Sequence, residues 1–141
     1  MLFRSYSAAF ADPNVGNAKT VNITGIALSN ATGCTGACDA INYSVGATTT
    51  VNANITPKTV NLSASKVYDG STSLSGKVTL ATGVGSEVLT YTNAVASDAN
   101  VATVGKYISA ITLGDGTHGE LASNYQLPAL NANSEIGRAH V

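Results

Sequence analysis

Apolar and polar side chains alternate along several short stretches of this chain, and that two-residue period most constrains what it can fold into. Alternation of this kind indicates strands with one buried face. It occurs along residues 60–64, 78–80 and 107–113. Turn-forming residues separate the stretches, at Asp69-Gly70, Thr82-Gly83, Gly114-Asp115-Gly116 and Ser123-Asn124. No stretch carries a convincing helical period of about 3.6 residues, so the sequence predicts an all-β chain.

A partial internal repeat runs through the same chain. Residues 6–11 match residues 91–96, and residues 23–28 match residues 108–113. Two further pairs follow in the same order: Asn42-Tyr43 with Asn124-Tyr125, and residues 51–54 with residues 130–133. We therefore expect one complete unit at residues 55–134, preceded at residues 6–54 by the C-terminal half of another unit.

Pro57 fits the junction between these parts, because proline lacks an N–H group and holds Thr56 in an extended conformation. Within residues 55–134, short strands separated by turns favour an immunoglobulin-like β-sandwich, one small module of a tandem array. A β-grasp-like single sheet is the alternative. A module of this size buries only about 60 to 65% of its unfolded surface, so neighbouring modules would help its stability.

Low charge distinguishes the composition. Charged residues make up 11% of the chain, against about 25% in ordinary soluble domains. The formal net charge is -1, and no stretch is rich in lysine or arginine. Because protein surfaces that bind nucleic acid need clustered positive charge, the sequence argues against nucleic acid as a partner. No apolar run approaches the roughly 20 residues of a membrane-spanning helix, so membrane insertion is not expected.

The two ends are related at the level of their codons. With a GTG start, residues 1–5 can be written GTG CTC TTC CGA TCT, and the reverse complement of that string encodes residues 136–139 and opens the codon of His140. One short duplex in two orientations, similar to a common sequencing adapter, explains both ends. We expect residues 1–5 and 135–141 to be an adapter-derived artefact, which removes both arginines and His140 from any site.

Four segments in a fixed order carry a resemblance to a known family. They are Ile-Thr-Pro-Lys-Thr-Val at residues 55–60, Lys-Val-Tyr-Asp-Gly-Ser-Thr at 66–72, Leu-Gly-Asp-Gly at 113–116 and Ala-Ser-Asn-Tyr-Gln-Leu-Pro at 122–128. This set resembles the YDG repeat module of filamentous-haemagglutinin-like bacterial surface adhesins of the two-partner secretion type. The resemblance spans residues 55–133 and covers residues 6–54 as a half-copy.

That resemblance implies a secreted or surface-anchored protein at the outer membrane of a Gram-negative bacterium. It implies a structural spacer or stalk repeat, with neighbouring repeats of the same chain as partners, no catalytic residues and no cofactor. The alternative is a weakly adhesive module that binds host glycan or protein, or itself. For such binding the chain offers few aromatic platforms: Tyr6, Phe10, Tyr68, Tyr91 and Tyr107.

The family motif Tyr68-Asp69-Gly70 is interpreted as a structural turn, in which Asp69 accepts turn N–H bonds and Gly70 supplies a permissive φ. A binding epitope is the other interpretation. Tyr43 and Tyr125 occupy equivalent positions of the repeat. We expect both to be half-buried anchors whose hydroxyls bond nearby backbone, as in a tyrosine corner.

Cys34 and Cys38 frame a loop of small residues. An exported protein would allow them to pair, and we expect a local disulfide. The chain-entropy formula gives so short a loop only roughly 2 kcal/mol, so the bond would stiffen the loop without holding the fold. A metal site would need further ligands, and only Asp39 is near in sequence.

His118 lies in the stretch 114–120, where an acid, a base and a calcium-like loop are conceivable. The spacing fails the EF-hand pattern and no nucleophile has a recognisable context, so we expect a solvated loop, no metal and no enzyme. Five Asn-x-Ser/Thr sequons are candidate glycosylation acceptors: Asn22, Asn30, Asn42, Asn54 and Asn61.

Overall fold

The computed structural model describes residues 2–30, 33, 39–46, 48–131 and 136–138. Within them the chain forms strands, turns and two 3-10 turns and no α-helix, which confirms the all-β prediction. The chain divides into two compact units, Met1–Thr56 and Pro57–Val141. In the described part of the chain, no helix has the length and hydropathy to cross a membrane.

Unit 1 is one three-stranded antiparallel sheet in the order β1-β2-β3. Its strands are β1 (Leu2–Phe10), β2 (Gly16–Ser29) and β3 (Thr48–Ile55). The matched segments of the repeat fall on β1 and β2, apart from Ala11, which follows β1; these strands pair antiparallel like their counterparts in unit 2, but in a different register. Among its described residues, unit 1 has no fully buried side chain.

Unit 2 contains seven described strands, most of them short because turn residues interrupt the alternation so often. They are β4 (Lys58–Thr59), β5 (Asn61–Lys66), β6 (Val78–Ala81), β7 (Thr90–Ala96), β8 (Ile108–Gly114), β9 (Tyr125–Gln126) and β10 (Ile136–Arg138). β5 pairs with β6 and β7 with β8, both antiparallel, while β4–β9 and β5–β10 are parallel pairs.

Two sheets of unit 2 face each other across its main core. Ala64 of β5 packs in one cluster with residues of β7 and β8 and with Leu74, whose side chain is fully buried. The cluster comprises Ala64, Leu74, Ala94, Ala96, Ile108 and Ile111, with Leu62 and Val78 packed against it. This face-to-face packing is that of a sandwich, not of a single sheet, and neither sheet closes into a barrel.

Val60 marks the point at which the chain changes its pairing partner from β9 to β6. It lies between β4 and β5, is fully buried, and donates its N–H to the carbonyl of Gln126 at 3.0 Å. The chain therefore leaves its parallel partner β9 at Val60 and pairs with β6 from Asn61 onward. A second, smaller cluster of Val60, Leu89 and Tyr125 surrounds this crossing point.

The turns predicted from sequence fall between strands. Gly70 and Gly83 both have positive φ, +77° and +66°, where an L side chain is strained. A short 3-10 turn precedes each repeat-equivalent tyrosine, Ala40–Asn42 before Tyr43 and Ala122–Asn124 before Tyr125. In each case the tyrosine N–H donates to the carbonyl of the first alanine of the turn, so the repeat extends to local hydrogen bonding.

Candidate functional site

The motif Tyr68-Asp69-Gly70 forms the loop that follows β5. The carboxylate of Asp69 accepts the N–H of Ser71 at 2.9 Å, an Asx turn, and Gly70 takes the positive φ that the bend requires. A side-chain oxygen and a glycine thus close the loop locally. Asp69 itself is largely exposed, so the loop folds at the surface.

Lys66, the last residue of β5, fixes the conformation of this loop through its ammonium group. Its ammonium lies 2.7 Å from the Asp69 carboxylate and donates at 2.8 Å to the carbonyls of Ser71 and Ser73 and to the Ser71 hydroxyl. The side chain is only 11% exposed. The hydrogen bond from Lys66, followed by that from the Ser71 N–H, lowers the pKa of Asp69 to about 2.

Tyr68 and Val67 project outward from the loop that Lys66 and Asp69 fix. Their side chains are 61% and 74% exposed. The motif therefore divides into two parts. Asp69 and Gly70 build the turn, and the aromatic ring of Tyr68 contributes nothing to the core.

Tyr125 occupies the smaller core of unit 2. Its side chain is 7% exposed, packs with Val60 and Leu89, and donates its hydroxyl hydrogen to the carboxylate of Glu87. Burial, and then the hydrogen bond to Glu87, raises the pKa of Tyr125. The hydroxyl partner is thus a distant side chain and not the nearby backbone of a tyrosine corner. Sequence alone gave no signal for Glu87.

Tyr43 differs from Tyr125 in its surroundings. Its side chain is 49% exposed, although the preceding 3-10 turn is the same. The partners of Tyr125, Val60 and Leu89, come from the earlier part of its own module. Unit 1 supplies no counterpart to them among its described residues, so the equivalent tyrosine stays at the surface.

The loop 114–120 is held together by its own acidic side chains. Asp115 accepts the N–H of Ala122 at 2.7 Å, and Glu120 accepts that of His118 at 2.9 Å. The N–H groups of Glu120 itself and then of His118 lower the pKa of the Glu120 carboxyl. His118 is 84% exposed, and its Nδ1 lies 3.9 Å from Glu120. These carboxylates therefore accept backbone N–H groups of the loop and of the turn that follows it, and the imidazole is largely exposed.

A second lysine-centred loop, between β7 and β8, was missed by sequence reasoning. Lys106 donates to the carbonyls of Asn100, Val101 and Thr103 at 2.7, 3.3 and 2.9 Å. Asp98 accepts the N–H of Asn100 and the hydroxyl of Thr103, and these bonds lower its pKa in that order. The only signal was an Asp before a turn, which is too common to predict a clamp.

One open groove of about 350 Å³ lies on unit 2. Ser75, Gly76 and the stretch 89–94 line it. The hydroxyl of Tyr91, the aromatic residue of this lining, accepts the N–H of Val78 at 3.0 Å and is therefore engaged inside the module. In the described residues no group of three or more His, Cys, Asp or Glu is arranged to hold a metal ion.

The remaining candidate residues lie in unit 1, apart from Asn61, which begins β5 of unit 2. Cys34 and Cys38 fall outside the described residues. The side-chain amide of Asn30 donates to the carboxylate of Asp39 and accepts the N–H of Ala40. The side-chain oxygen of Asn54 accepts the N–H of Ala18 at 2.8 Å. These two sequon side chains are therefore engaged in holding loops of unit 1. Asn22, Asn42 and Asn61 are exposed.

A family model described as the YDG domain matches residues 50–132, more than half of the chain. No curated protein and no solved structure shows a significant match. The match covers the loops built by Lys66 and Lys106, both core clusters and Tyr125. It leaves out residues 1–49 and 133–141.

This finding corrects several expectations drawn from sequence. The match names the YDG domain and nothing of filamentous haemagglutinin, and YDG is also the designation of the SRA (SET and RING associated) domain, which binds methylated DNA. The assignment to adhesin repeats is therefore corrected to the YDG domain. The spacer or stalk function and the alternative of glycan, host-protein or self-binding fall with it. The exclusion of nucleic acid is corrected too, and nucleic acid returns as a candidate partner.

Proposed function

The chain belongs to the YDG domain family, and we propose on that premise that unit 2 is a non-catalytic binding module whose YDG turn presents Tyr68 to a partner. The proposal rests on the different roles of the side chains in and beside the turn. Lys66 and Asp69 fix the loop through hydrogen bonds, while Tyr68 remains 61% exposed.

A fixed loop favours binding because little conformational entropy remains to be lost when a partner docks. Tyrosine suits such a position because its ring offers a large contact area with few rotatable bonds. The adjacent Val67, 74% exposed, adds apolar area beside the ring. Together they form a small protruding contact, which we call the Tyr68 tip (Val67 and Tyr68).

The proposal of a non-catalytic role rests on what the acidic and basic side chains do. Asp98, Asp115 and Glu120 accept backbone N–H groups of their own loops. The ammonium groups of Lys66 and Lys106 are surrounded by carbonyl oxygens. Catalysis needs a base or nucleophile directed at a bound substrate, whereas these groups are directed at the backbone.

Methylated DNA is the ligand to test first, because the family designation is shared with a domain that binds it. The described surface limits how such binding would work. Residues 57–131 carry four lysines against five carboxylates, and two of those lysines are the loop clamps. Phosphate contacts would therefore be few, and stacking of a base on the Tyr68 ring is the contact that the geometry offers.

The experiment is a fluorescence anisotropy titration of the full chain against three labelled probes. The probes are a short duplex with one methylated cytosine, the same duplex unmethylated, and the methylated single strand. The proposal predicts saturable binding that prefers the methylated probes. It also predicts a shallow dependence of the affinity on salt, because few counterions are released.

Two variants locate the contact. Tyr68→Ala is expected to weaken binding by about tenfold, the effect of losing one base-stacking contact. Val104→Ala is the matched control, since Val104 is 77% exposed on a different loop, and it should bind as the parent does. Absence of saturable binding to every probe would remove DNA as the ligand, and equal loss in both variants would place the contact away from the turn.

A further inference from the structure

Four oxygen atoms of the YDG turn converge on one point, the ammonium of Lys66. They are a carboxylate oxygen of Asp69 at 2.7 Å and, each at 2.8 Å, the hydroxyl and carbonyl oxygens of Ser71 and the carbonyl oxygen of Ser73. We call these atoms the oxygen cluster (Asp69, Ser71 and Ser73). Because an ammonium has only three N–H donors, the oxygens outnumber the donors and surround the charge as the ligands of a bound cation do.

The point at which these oxygens meet is shielded from water. The side chain of Lys66 is only 11% exposed, although Asp69 beside it is 57% exposed. The oxygens thus replace water around the ammonium, as carbonyl oxygens replace the hydration shell of an ion in a selective site. Two of the four oxygens are backbone carbonyls, which a simple surface ion pair does not require.

Ser73 is held by bonds that do not involve Lys66. It forms an antiparallel bridge to Val95 of β7. The carbonyl of Thr72 and the N–H of Leu74 make the two backbone bonds of this bridge, both at 2.8 Å. The carbonyl of Ser73 is therefore left to accept from the ammonium, and its position is fixed by the pairing with β7.

Asp69 and Ser71 are joined to each other independently of the lysine. The N–H of Ser71 donates to the Asp69 carboxylate at 2.9 Å. This bond holds one charged and two uncharged oxygens of the oxygen cluster in the same turn. The cluster is therefore largely preorganised, which favours binding because little order must be created when a cation enters.

The composition of the oxygen cluster favours a large monovalent cation. It contains one carboxylate, whose charge a single positive charge balances. Calcium takes about six to eight oxygens at about 2.3 to 2.6 Å, whereas this cluster offers four, at 2.7 and 2.8 Å. Potassium, which is close to ammonium in size, binds carbonyl oxygens in proteins.

We propose that the oxygen cluster is a binding site for a monovalent cation of the size of ammonium or potassium, and that the ammonium of Lys66 fills it in this chain. The turn then depends on a positive charge at this point and not on the rest of the lysine side chain. Removal of the ammonium leaves a site that a free ion of the same class can enter. The proposal does not depend on what the Tyr68 tip binds.

The test replaces Lys66 by alanine in the full chain and titrates this variant with potassium chloride and with ammonium chloride. Choline chloride at the same ionic strength is the reference, because choline is too large for the oxygen cluster. Both small ions should shift the NMR signals of amides in residues 69–74 saturably. They should also raise the unfolding midpoint by about 5 °C at a tenfold excess over the Kd, and choline should do neither.

Two further variants make the result specific to the oxygen cluster. Lys77→Ala removes an exposed lysine from the same connection between β5 and β6, and its midpoint should not distinguish potassium from choline. Adding Asp69→Asn to Lys66→Ala removes the negative charge and keeps an oxygen for the Ser71 N–H, and it should weaken ion binding at least about tenfold. Absence of saturable shifts, an equal response to choline, or unchanged ion binding after Asp69→Asn would each overturn the proposal.

The parent chain provides a second measurement, which decides the proposal if Lys66→Ala does not fold. Because protein oxygens surround the Lys66 ammonium, its hydrogens should exchange with water slowly enough for its N–H signal to be observed by NMR. The signal of the exposed Lys77 should be lost to exchange under the same conditions. Exchange of the two ammonium groups at the same rate would contradict the proposal.

Discussion

The hydroxyl of Tyr125 donates a hydrogen bond to the carboxylate of Glu87, a residue 38 positions earlier in the chain. Around it, the hydroxyl of Thr82 donates to the carbonyl of Glu87 at 2.9 Å and is itself nearly buried. The bond joins β9 to the loop between β6 and β7. It thereby closes the smaller core of the YDG module with polar groups that are all satisfied in the described residues.

Replacing Tyr125 by phenylalanine removes this bond and keeps the ring. A hydrogen bond to a charged group contributes about 1.5 to 3 kcal/mol, and since Glu87 can recover water, we expect a loss of about 1 to 2 kcal/mol in the free energy of unfolding. Urea denaturation measures it. Tyr68→Phe is the control, because that side chain is 61% exposed, and its midpoint should not move.

Acid should loosen the YDG turn. The pKa of Asp69 is lowered from 3.8 to about 2 in the folded chain, so its stabilising contribution is full above pH 3.8 and is lost as the pH falls toward 2. Following the urea midpoint between pH 5 and pH 2 tests this. Asp69→Asn should flatten the profile in that window. An unchanged profile would mean that Asp69 does not hold the turn when ionised.

Gly116 should not tolerate a side chain. A Cβ built there would lie 2.2 Å from the carbonyl oxygen of Val88 and from the Glu120 carboxylate. The backbone carbonyl cannot move freely, so we expect Gly116→Ala to cost about 1 to 3 kcal/mol, as overpacking does. Thermal denaturation measures the effect. Gly46→Ala, whose nearest contact is 3.4 Å, is the control and should stay within about 0.5 kcal/mol.

Cys34 and Cys38 are predicted to pair when the protein is made in an oxidising compartment. Alkylation followed by mass measurement, with and without reductant, counts the free thiols. Two protected sulfurs without reductant and two alkylated sulfurs with it are the expected result. Two reactive thiols in exported protein would remove the disulfide.

Much of the fold follows from local sequence. Alternation marks β5, β6 and β8, and the pair Asp69-Gly70 specifies its turn, because both signals act within a few residues. The repeat also identifies β1 and β2 as the counterparts of β7 and β8. These features depend on which face a side chain points to and on which residues accept a positive φ.

The contacts that complete the module were not predictable in this way. Leu74 is fully buried although it lies between serines with no alternating neighbours. Glu87 contacts Tyr125 only because the fold brings β9 beside the loop between β6 and β7, although the two residues are 38 positions apart in the chain. Tyr43 and Tyr125 share a local pattern and differ in burial, since burial depends on what the rest of the module supplies.

The central claim is that unit 2, which holds most of the residues matched to the YDG domain, has its own core, whereas the described residues of unit 1 form a sheet without one. Hydrogen exchange of the full chain tests this most directly. The account predicts the slowest exchange at Leu74, Ala96 and Ile108, governed by global unfolding, and much faster exchange along β1, β2 and β3. Equal protection in the two units, or slower exchange in unit 1, would contradict it.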